Sequence, residues 1–467
     1  MNFLKGIEKF NSNICLISKN KKKITYKEVI IKSDEISKNL NSRSLIFVLA
    51  DNNTEFFISY ISFFRKGLVQ MLLNPKISTE ILASLIDSYE PSYIFTPNSR
   101  IDDFKNYKIL KRIDNFTILK SSKDNYYLVN KDLALLLSTS GSTGSKKFVR
   151  ISYENIHHNT KSIVNYLEIK KNHRTITTMP PFYTYGLSVI NTHLFSGASI
   201  LVTDIKAIEK LFWKLIKDCK ITSFAGVPFF YEILHKIKFN KFNLPNLKYF
   251  TQAGGSLRKE LIEYFLKCSE KNKNKFIIMY GQTEATARMT YLPSKMLKKK
   301  IGSIGIPIPG GNIKLLNSKV KNTKKGEIIY SGKNVSLGYA KSYRDLNKEN
   351  ENKGVLKTGD LATRDSDGYL YIVGRKSRYT KIFGHRVSLD EIENILVKRG
   401  YNCLCGGFEE KIIIFYIDES YNNVLLKYIA KATNIHISRF RLKYISQFPL
   451  NENGKVSYKK LEKFYDN

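Results

Sequence analysis

Between Ile24 and Leu201, short apolar runs of strand length (SLIFVLA, PSYIFT, SILVT) alternate with stretches of helical periodicity, Glu55 to Gly67 and Thr79 to Tyr89. This alternation constrains the fold more than any other feature. A strand followed by a helix returns to the same sheet in parallel, so the chain is expected to build a doubly wound α/β sheet with helices on both faces. The rhythm resumes from Ile221 to Tyr280. There ITSFAGVP, LKYFTQAGG and KFIIMYG are expected strands ending in glycine or proline turns, with helices Phe229 to Ile237 and Arg258 to Lys267 between them. In such sheets ligands sit beyond the carboxyl ends of the strands, so these turns are where chemistry is expected.

After Ser303 the texture becomes β-rich and glycine-punctuated: IPIPGGNIKLL, KGEIIYSG, DSDGYLYIVGR. From Ser377 the tail reads as a small α+β domain, with helices Leu389 to Lys398 and Tyr421 to Thr433, strands around Lys411 to Ile417 and a short helix after Val456. The expected fold class is therefore α/β: an N-terminal domain over 1–376, made of doubly wound sheets with a β-rich subdomain at about 303–376, and an α+β C-terminal domain over 377–467. The polar stretch GRKSRYTK joins them.

No apolar run approaches the roughly 18 residues a spanning helix needs, so no membrane span is expected. The N-terminal basic cluster follows the apolar residues rather than preceding them, so an export signal is not expected either. Cys15, Cys219, Cys268, Cys403 and Cys405 are scattered and odd in number, which points to a reducing, cytoplasmic setting. Cys403 and Cys405 lack the second pair or neighbouring histidine that zinc requires. Formal net charge is +36, but lysine is spread along almost every segment and no nucleic-acid-reading element accompanies it. Nucleic acid is therefore not an expected partner; a diffuse basic surface suits acidic proteins and phosphate-bearing substrates, and is equally a compositional habit.

The segment STSGSTGSKKFV, Ser138 to Val149, directly follows the apolar strand LALLL. Glycines among hydroxyl side chains present backbone N–H groups and O–H donors in a nest suited to phosphate oxygens. It is not a Walker loop, because Gly141 and Gly144 are three apart. The segment YGQTEAT, Tyr280 to Thr286, offers an aromatic face, a hydroxyl and a carboxylate able to ligate Mg²⁺. In TGD, Thr358 to Asp360, a carboxylate follows a turn glycine and suits a ribose diol. Taken singly, the last two are weak signals.

In order and spacing, STSGSTGSKKFV, AGGS, YGQTEAT, GEIIYSGKNVSLGY, TGD, GRKSRYTKIFGHR and PLNENGKV resemble the signature set of the AMP-forming adenylating superfamily, which includes acyl-CoA synthetases, amino-acid adenylation domains and luciferases. The resemblance implies that Thr139, Ser140, Gly141, Ser142, Thr143, Gly144 and Lys147 hold the ATP phosphates. It implies an adenine pocket at Gly254, Gly255, Ser256 and Tyr280, with Thr283 on phosphate and Glu284 on Mg²⁺. Asp360 falls on the ribose hydroxyls, with Arg375 assisting. Lys455 is the expected catalytic lysine bridging acid and α-phosphate, on a C-terminal domain that acts as a mobile lid. Lys381, with Gly384 to Arg386, would face the site in the second half-reaction. The chain departs from the pattern at Lys146 (usually proline), Phe148 (usually glycine) and the hinge position Ser377.

Relatives of the resembling family select their acid mainly at PPFYTYG, Pro180 to Gly186, where amino-acid adenylating members carry an Asp and many acyl-CoA synthetases a His; here it is Tyr183. A buried ammonium without a carboxylate partner is costly, which disfavours an α-amino acid. Tyr183, Tyr185, Phe224, Val227 and Gly384 are the expected substrate-binding residues for a small carboxylic acid. The expected activity is an ATP-dependent acid–thiol ligase whose acceptor is the phosphopantetheine of CoA or of an acidic acyl carrier protein. Two alternatives stand beside it: an amino-acid ligase loading a carrier protein, and a non-catalytic nucleotide sensor on the same fold.

Overall fold

The computed structural model describes residues 3–123, 127–139, 147–316, 325–376, 378–382, 385–418, 421, 423–433, 435–451 and 454–465. By compactness the chain forms two units. One comprises Met1–Ile301, Pro307–Asn312 and Ser331–Leu356; the other comprises Gly302–Ile306, Ile313–Tyr330 and Lys357–Asn467.

In the first unit, β1 (Leu45–Leu49), β2 (Val69–Leu73), β3 (Tyr93–Pro97) and β4 (Leu133–Ser138) lie parallel, with β1 between β2 and β3 and with β4 beside β2. All of β1 and β2 is buried, and a strand covered on both faces is apolar at every position rather than at alternate ones. Helix α1 (Thr54–Lys66) starts where the Asn53 side chain accepts the Phe56 N–H at 2.8 Å, and α2 (Thr79–Tyr89) where Ser78 accepts from Ile81. Both match the sequence expectation to within a residue or so. Strand β5 (Phe148–Ser152) returns antiparallel to β4, with Ser138 opposite Phe148.

A second sheet of this unit has a parallel core: β6 (Arg174–Ile176), β7 (Ser199–Leu201), β8 (Ser223–Gly226), β9 (Tyr249–Gln252) and β10 (Lys275–Tyr280), in the order β7-β6-β8-β9-β10. Helices α3 (Tyr153–Leu167), α4 (Thr184–Phe195), α5 (Pro228–Lys236) and α6 (Lys259–Lys271) belong to the same unit. Helix α5 begins at Pro228, whose missing N–H costs nothing in the first turn. Helix α6 outruns its expected end at Lys267 because Cys268 and Ser269 continue its buried face.

The second unit contains most of a β-rich sheet, in which β11 (Val355–Arg364) pairs antiparallel with β12 (Leu370–Arg375). The hairpin β13 (Tyr379–Ile382) and β14 (His385–Ser388) leads into α7 (Leu389–Lys398). Beyond it, β15 (Cys403–Phe408), β16 (Lys411–Tyr416) and β17 (Phe440–Tyr444) form a sheet, with α8 (Asn423–Thr433) between β16 and β17. Ile382, Ile392, Leu396, Cys405, Ile412, Ile414 and Ile429 form its core. Cys403 and Cys405 are buried strand residues whose thiols burial pushes up. Among the described residues, no helix is long and apolar enough to cross a membrane.

Candidate functional site

Thr139 directly follows β4 and Lys147 directly precedes its antiparallel partner β5; Ser140, Gly141, Ser142, Thr143 and Gly144 of the expected phosphate loop lie outside the described residues. Phe148, one of the departures from the family pattern, is the first residue of β5 and packs edge-on to Tyr89 at 5.7 Å between ring centroids. Its bulk is thus core rather than loop.

Lys147 Nζ sits 3.6 Å from the centre of the Tyr339 ring, a cation–π contact. Tyr339 lies on the strand Gly338–Ala340, which pairs antiparallel with β5, opposite Val149. Its hydroxyl donates to Glu284 Oε1 at 2.9 Å. Burial, then the Glu284 charge, pushes this phenol far above its ordinary range, so it stays a donor. Lys147, Tyr339 and Glu284 therefore form one line of cation, ring and carboxylate. The Glu284 carbonyl accepts the Ser336 N–H at 2.8 Å, fixing the backbone that carries the carboxylate.

Glu284 rides on a tight loop closed by the Met289 N–H donating to the Tyr280 carbonyl at 2.9 Å. A Cβ on Gly281 would lie 1.8 Å from the Ala287 carbonyl oxygen, so only glycine fits there. Thr283 Oγ1 is 2.9 Å from Thr184 Oγ1 at the start of α4. Tyr280 is half-buried at the end of β10. Gly254, with φ of +90°, turns the chain after β9 and needs its lack of a side chain. Gln252 Nε2 donates to the Gly255 carbonyl at 2.9 Å, and Gly255 and Ser256 are exposed.

Tyr183, Tyr185 and Val227 gather in one cluster with Ala225, Ala253 and Met279. Tyr185 donates its hydroxyl to the Thr251 carbonyl at 3.0 Å, and burial pushes its pKa up to about 12. Phe224 does not join them. Its ring stacks on Phe250 at 5.4 Å, Phe250 stacks on Phe276 at 4.9 Å, and this ladder faces Tyr231 and Phe265 of α5 and α6. Strand alternation puts Phe224 on the face with these rings and Ala225 on the face with the tyrosines.

In the second unit, Asp360 of β11 is 2% exposed and pairs with Arg375 Nε of β12 at 2.9 Å. The Asp360 N–H donates to Thr358 Oγ1 at 3.1 Å. Lys455 follows a turn in which its N–H donates to Asn451 Oδ1 at 3.0 Å and its carbonyl accepts the Asn451 N–H at 2.7 Å. Lys381 lies on β13 opposite Arg386 of β14; Gly384 lies outside the described residues.

Sequence reasoning passed over Tyr339 and Arg288. Tyr339 stood inside a quoted motif but carries no signal without its neighbours in space. Arg288 lies four residues past Glu284 and is 1% exposed, against the habit of arginine to reach solvent.

A family model described as AMP-binding enzyme matches residues 3–340. The 2-succinylbenzoate–CoA ligase of Oceanobacillus iheyensis is 26% identical over 93% of this chain and 92% of its own. Probable 4-coumarate–CoA ligase 1 of Dictyostelium discoideum is 26% identical over 91% and 86%. Among solved structures, o-succinylbenzoate CoA synthetase of Bacillus subtilis with its acyl-adenylate intermediate superposes with a TM-score of 0.79 at 20% identity, covering 99% of this chain and 98% of that one. ATP-bound MatB from Rhodopseudomonas palustris gives 0.80 at 19%, covering 100% and 99%.

Proposed function

Since the chain belongs to the family of AMP-binding enzymes, we propose that it is an AMP-forming acid–thiol ligase that works through the residues assembled above. The observation that carries this reading is the line Lys147, Tyr339 and Glu284, which unites a phosphate-loop lysine with the carboxylate expected to hold Mg²⁺. The donor chemistry fits that ion, which takes one or two protein carboxylates and completes its shell with phosphate oxygens and water. Glu284 would hold Mg²⁺ there, and the ion would neutralise phosphate charge.

In the first half-reaction the acid carboxylate attacks the α-phosphorus of ATP; an acyl–phosphate bond forms and pyrophosphate leaves. Both reactants are anions, so the protein contributes position and positive charge rather than an acid–base pair. Lys147 and the Thr139 to Gly144 loop hold the polyphosphate. Gly254, Gly255, Ser256 and Tyr280 take the adenine, Thr283 a phosphate oxygen, and Asp360 with Arg375 the ribose hydroxyls. Lys455 bridges the carboxylate and the α-phosphate, a task suited to a compact ammonium on a flexible stem. In the second half-reaction a phosphopantetheine thiolate attacks the acyl carbon, a thioester forms and AMP leaves, with the face that carries Lys381 and Gly384 presented instead.

Residues 377–467 act as the lid that swaps these faces. Arg378 is held within the second unit: Nη2 donates to Glu393 Oε1 at 2.8 Å and to the Cys405 carbonyl at 2.8 Å, and its guanidinium stacks 3.6 Å over Tyr458; Ser377, the expected hinge, lies outside the described residues. The acid is a small carboxylic acid, as for relatives named after 2-succinylbenzoate and 4-coumarate. CoA is the acceptor in those names; the net charge of +36 supports docking of an acidic carrier protein as a second acceptor.

The test is acid-dependent exchange of labelled pyrophosphate into ATP across a panel of carboxylic acids. Exchange with at least one acid, reduced about 10-fold in Tyr339→Phe (the order of one oriented donor), is expected. ATP binding without exchange for any acid would favour the sensor reading.

A further inference from the structure

Arg288 is 1% exposed, and its guanidinium carbon lies 4.7 Å from the Tyr185 ring centre. Nη1 reaches Met279 Sδ at 2.9 Å and Tyr166 Oη at 3.4 Å, Nη2 reaches Ser188 Oγ at 3.1 Å, and Nε, fully buried, has no hydrogen-bond partner. All of these partners are neutral. Among the described residues, no carboxylate lies within ion-pair distance of this cation. The equally buried Arg150, whose Nε is likewise without a partner, differs in having a counter-ion: it pairs with Glu351 at 2.8 Å and donates to three carbonyls. A guanidinium desolvated beside tyrosine rings and a thioether, with one N–H idle and no counter-ion, lacks an anion.

Its position says which anion. Ser188 and Tyr185 belong to the first turns of α4, whose Thr184 hydroxyl meets Thr283. Tyr185 and Met279, both touched by Arg288, belong to the cluster with Tyr183 and Val227 that forms the expected acid lining. Its charge is felt at both tyrosines: burial raises the two phenols and Arg288 pulls them back.

We propose that Arg288 is the receptor for a second carboxylate of the acid, so that this enzyme's substrate class is dicarboxylic acids. The inference rests on the ligase reading above. One carboxylate is adenylated with loss of pyrophosphate. The other forms no covalent bond; it accepts from the idle Nε–H and a neighbouring Nη–H, the paired geometry a guanidinium offers a carboxylate. Specificity follows because a monoacid leaves the cation buried and unpaired.

The experiment is pyrophosphate exchange with succinate, glutarate, adipate and phthalate, each beside butyrate, pentanoate, hexanoate or benzoate as the monoacid of the same skeleton, in the wild-type chain, Arg288→Met and Arg288→Lys. At least one dicarboxylate should exceed its monoacid about 100-fold in kcat/KM in the wild type. Arg288→Met should abolish that preference, and Arg288→Lys should keep part of it. Should Arg288→Met fail to fold, the Lys variant decides, by shifting the preference or leaving it untouched. Equal use of monoacids by the wild type, or an unaltered preference in the variants, would overturn the proposal. If no acid supports exchange, the ligase reading fails separately. The thermal shift produced by the same dicarboxylates with ATP then decides: a shift lost in Arg288→Met supports the receptor, and no shift refutes it.

Discussion

Buried ionisable side chains set how this protein responds to pH. His193 is 2% exposed, with Nδ1 2.8 Å from the Val189 carbonyl and Nε2 3.4 Å from Ser223 Oγ. Burial pushes its pKa down to about 4. The unfolded chain takes up this proton near pH 6.5 and the folded chain only near 4, so stability falls as pH drops through that window, by up to about 1.4 kcal/mol per unit. His173, also pushed down to about 4 by burial, adds a loss of the same sign. Denaturant titrations between pH 7 and 4 should therefore show a shallower decline in His193→Gln than in the wild type; parallel slopes would contradict this assignment. None of this is legible in the sequence, in which neither His173 nor His193 belongs to a motif. The environment of a single residue is supplied by segments far along the chain.

At the scale of elements, sequence and structure agree wherever periodicity and capping act locally. Helices α1, α2 and α7 fall where the apolar pattern puts them, because Asn53, Ser78 and Ser388 each satisfy a first-turn N–H. Pattern alone does not separate Phe224 from Ala225, since a fully buried strand is apolar on both faces. The loop from Tyr280 to Met289 is the element on which the site depends, for it carries Thr283, Glu284 and Arg288 together. Gly281→Ala would drive a Cβ into the Ala287 carbonyl, with Arg288 Cα at 2.7 Å also in the way. We expect a loss of about 1–3 kcal/mol in stability and at least a tenfold loss of pyrophosphate exchange. Retention of full exchange would mean that the loop tolerates a shift the packing argues against.

For the molecule as a whole, the proposed two-step chemistry gives different faces of the small domain to different half-reactions. Lys455→Ala should therefore abolish pyrophosphate exchange, while Lys381→Ala should leave exchange within a few-fold and mainly slow thioester formation from preformed adenylate. Equal loss in both steps for both variants would contradict a lid that changes faces. If Arg378 travels with the small domain, Arg378→Ala should loosen that body and slow both steps. The α/β architecture, the order of the nucleotide motifs and membership of a family are legible without coordinates, because hydrophobic period, turn glycines and motif spacing are local properties of the chain. Folding in three dimensions is what ties Lys147 to Glu284 through Tyr339, stacks Phe224 on Phe250, and leaves Arg288 a buried cation with no counter-ion among the described residues. These are properties of residues brought together across the sheets, and a buried charge or an idle N–H is defined by what surrounds it in space.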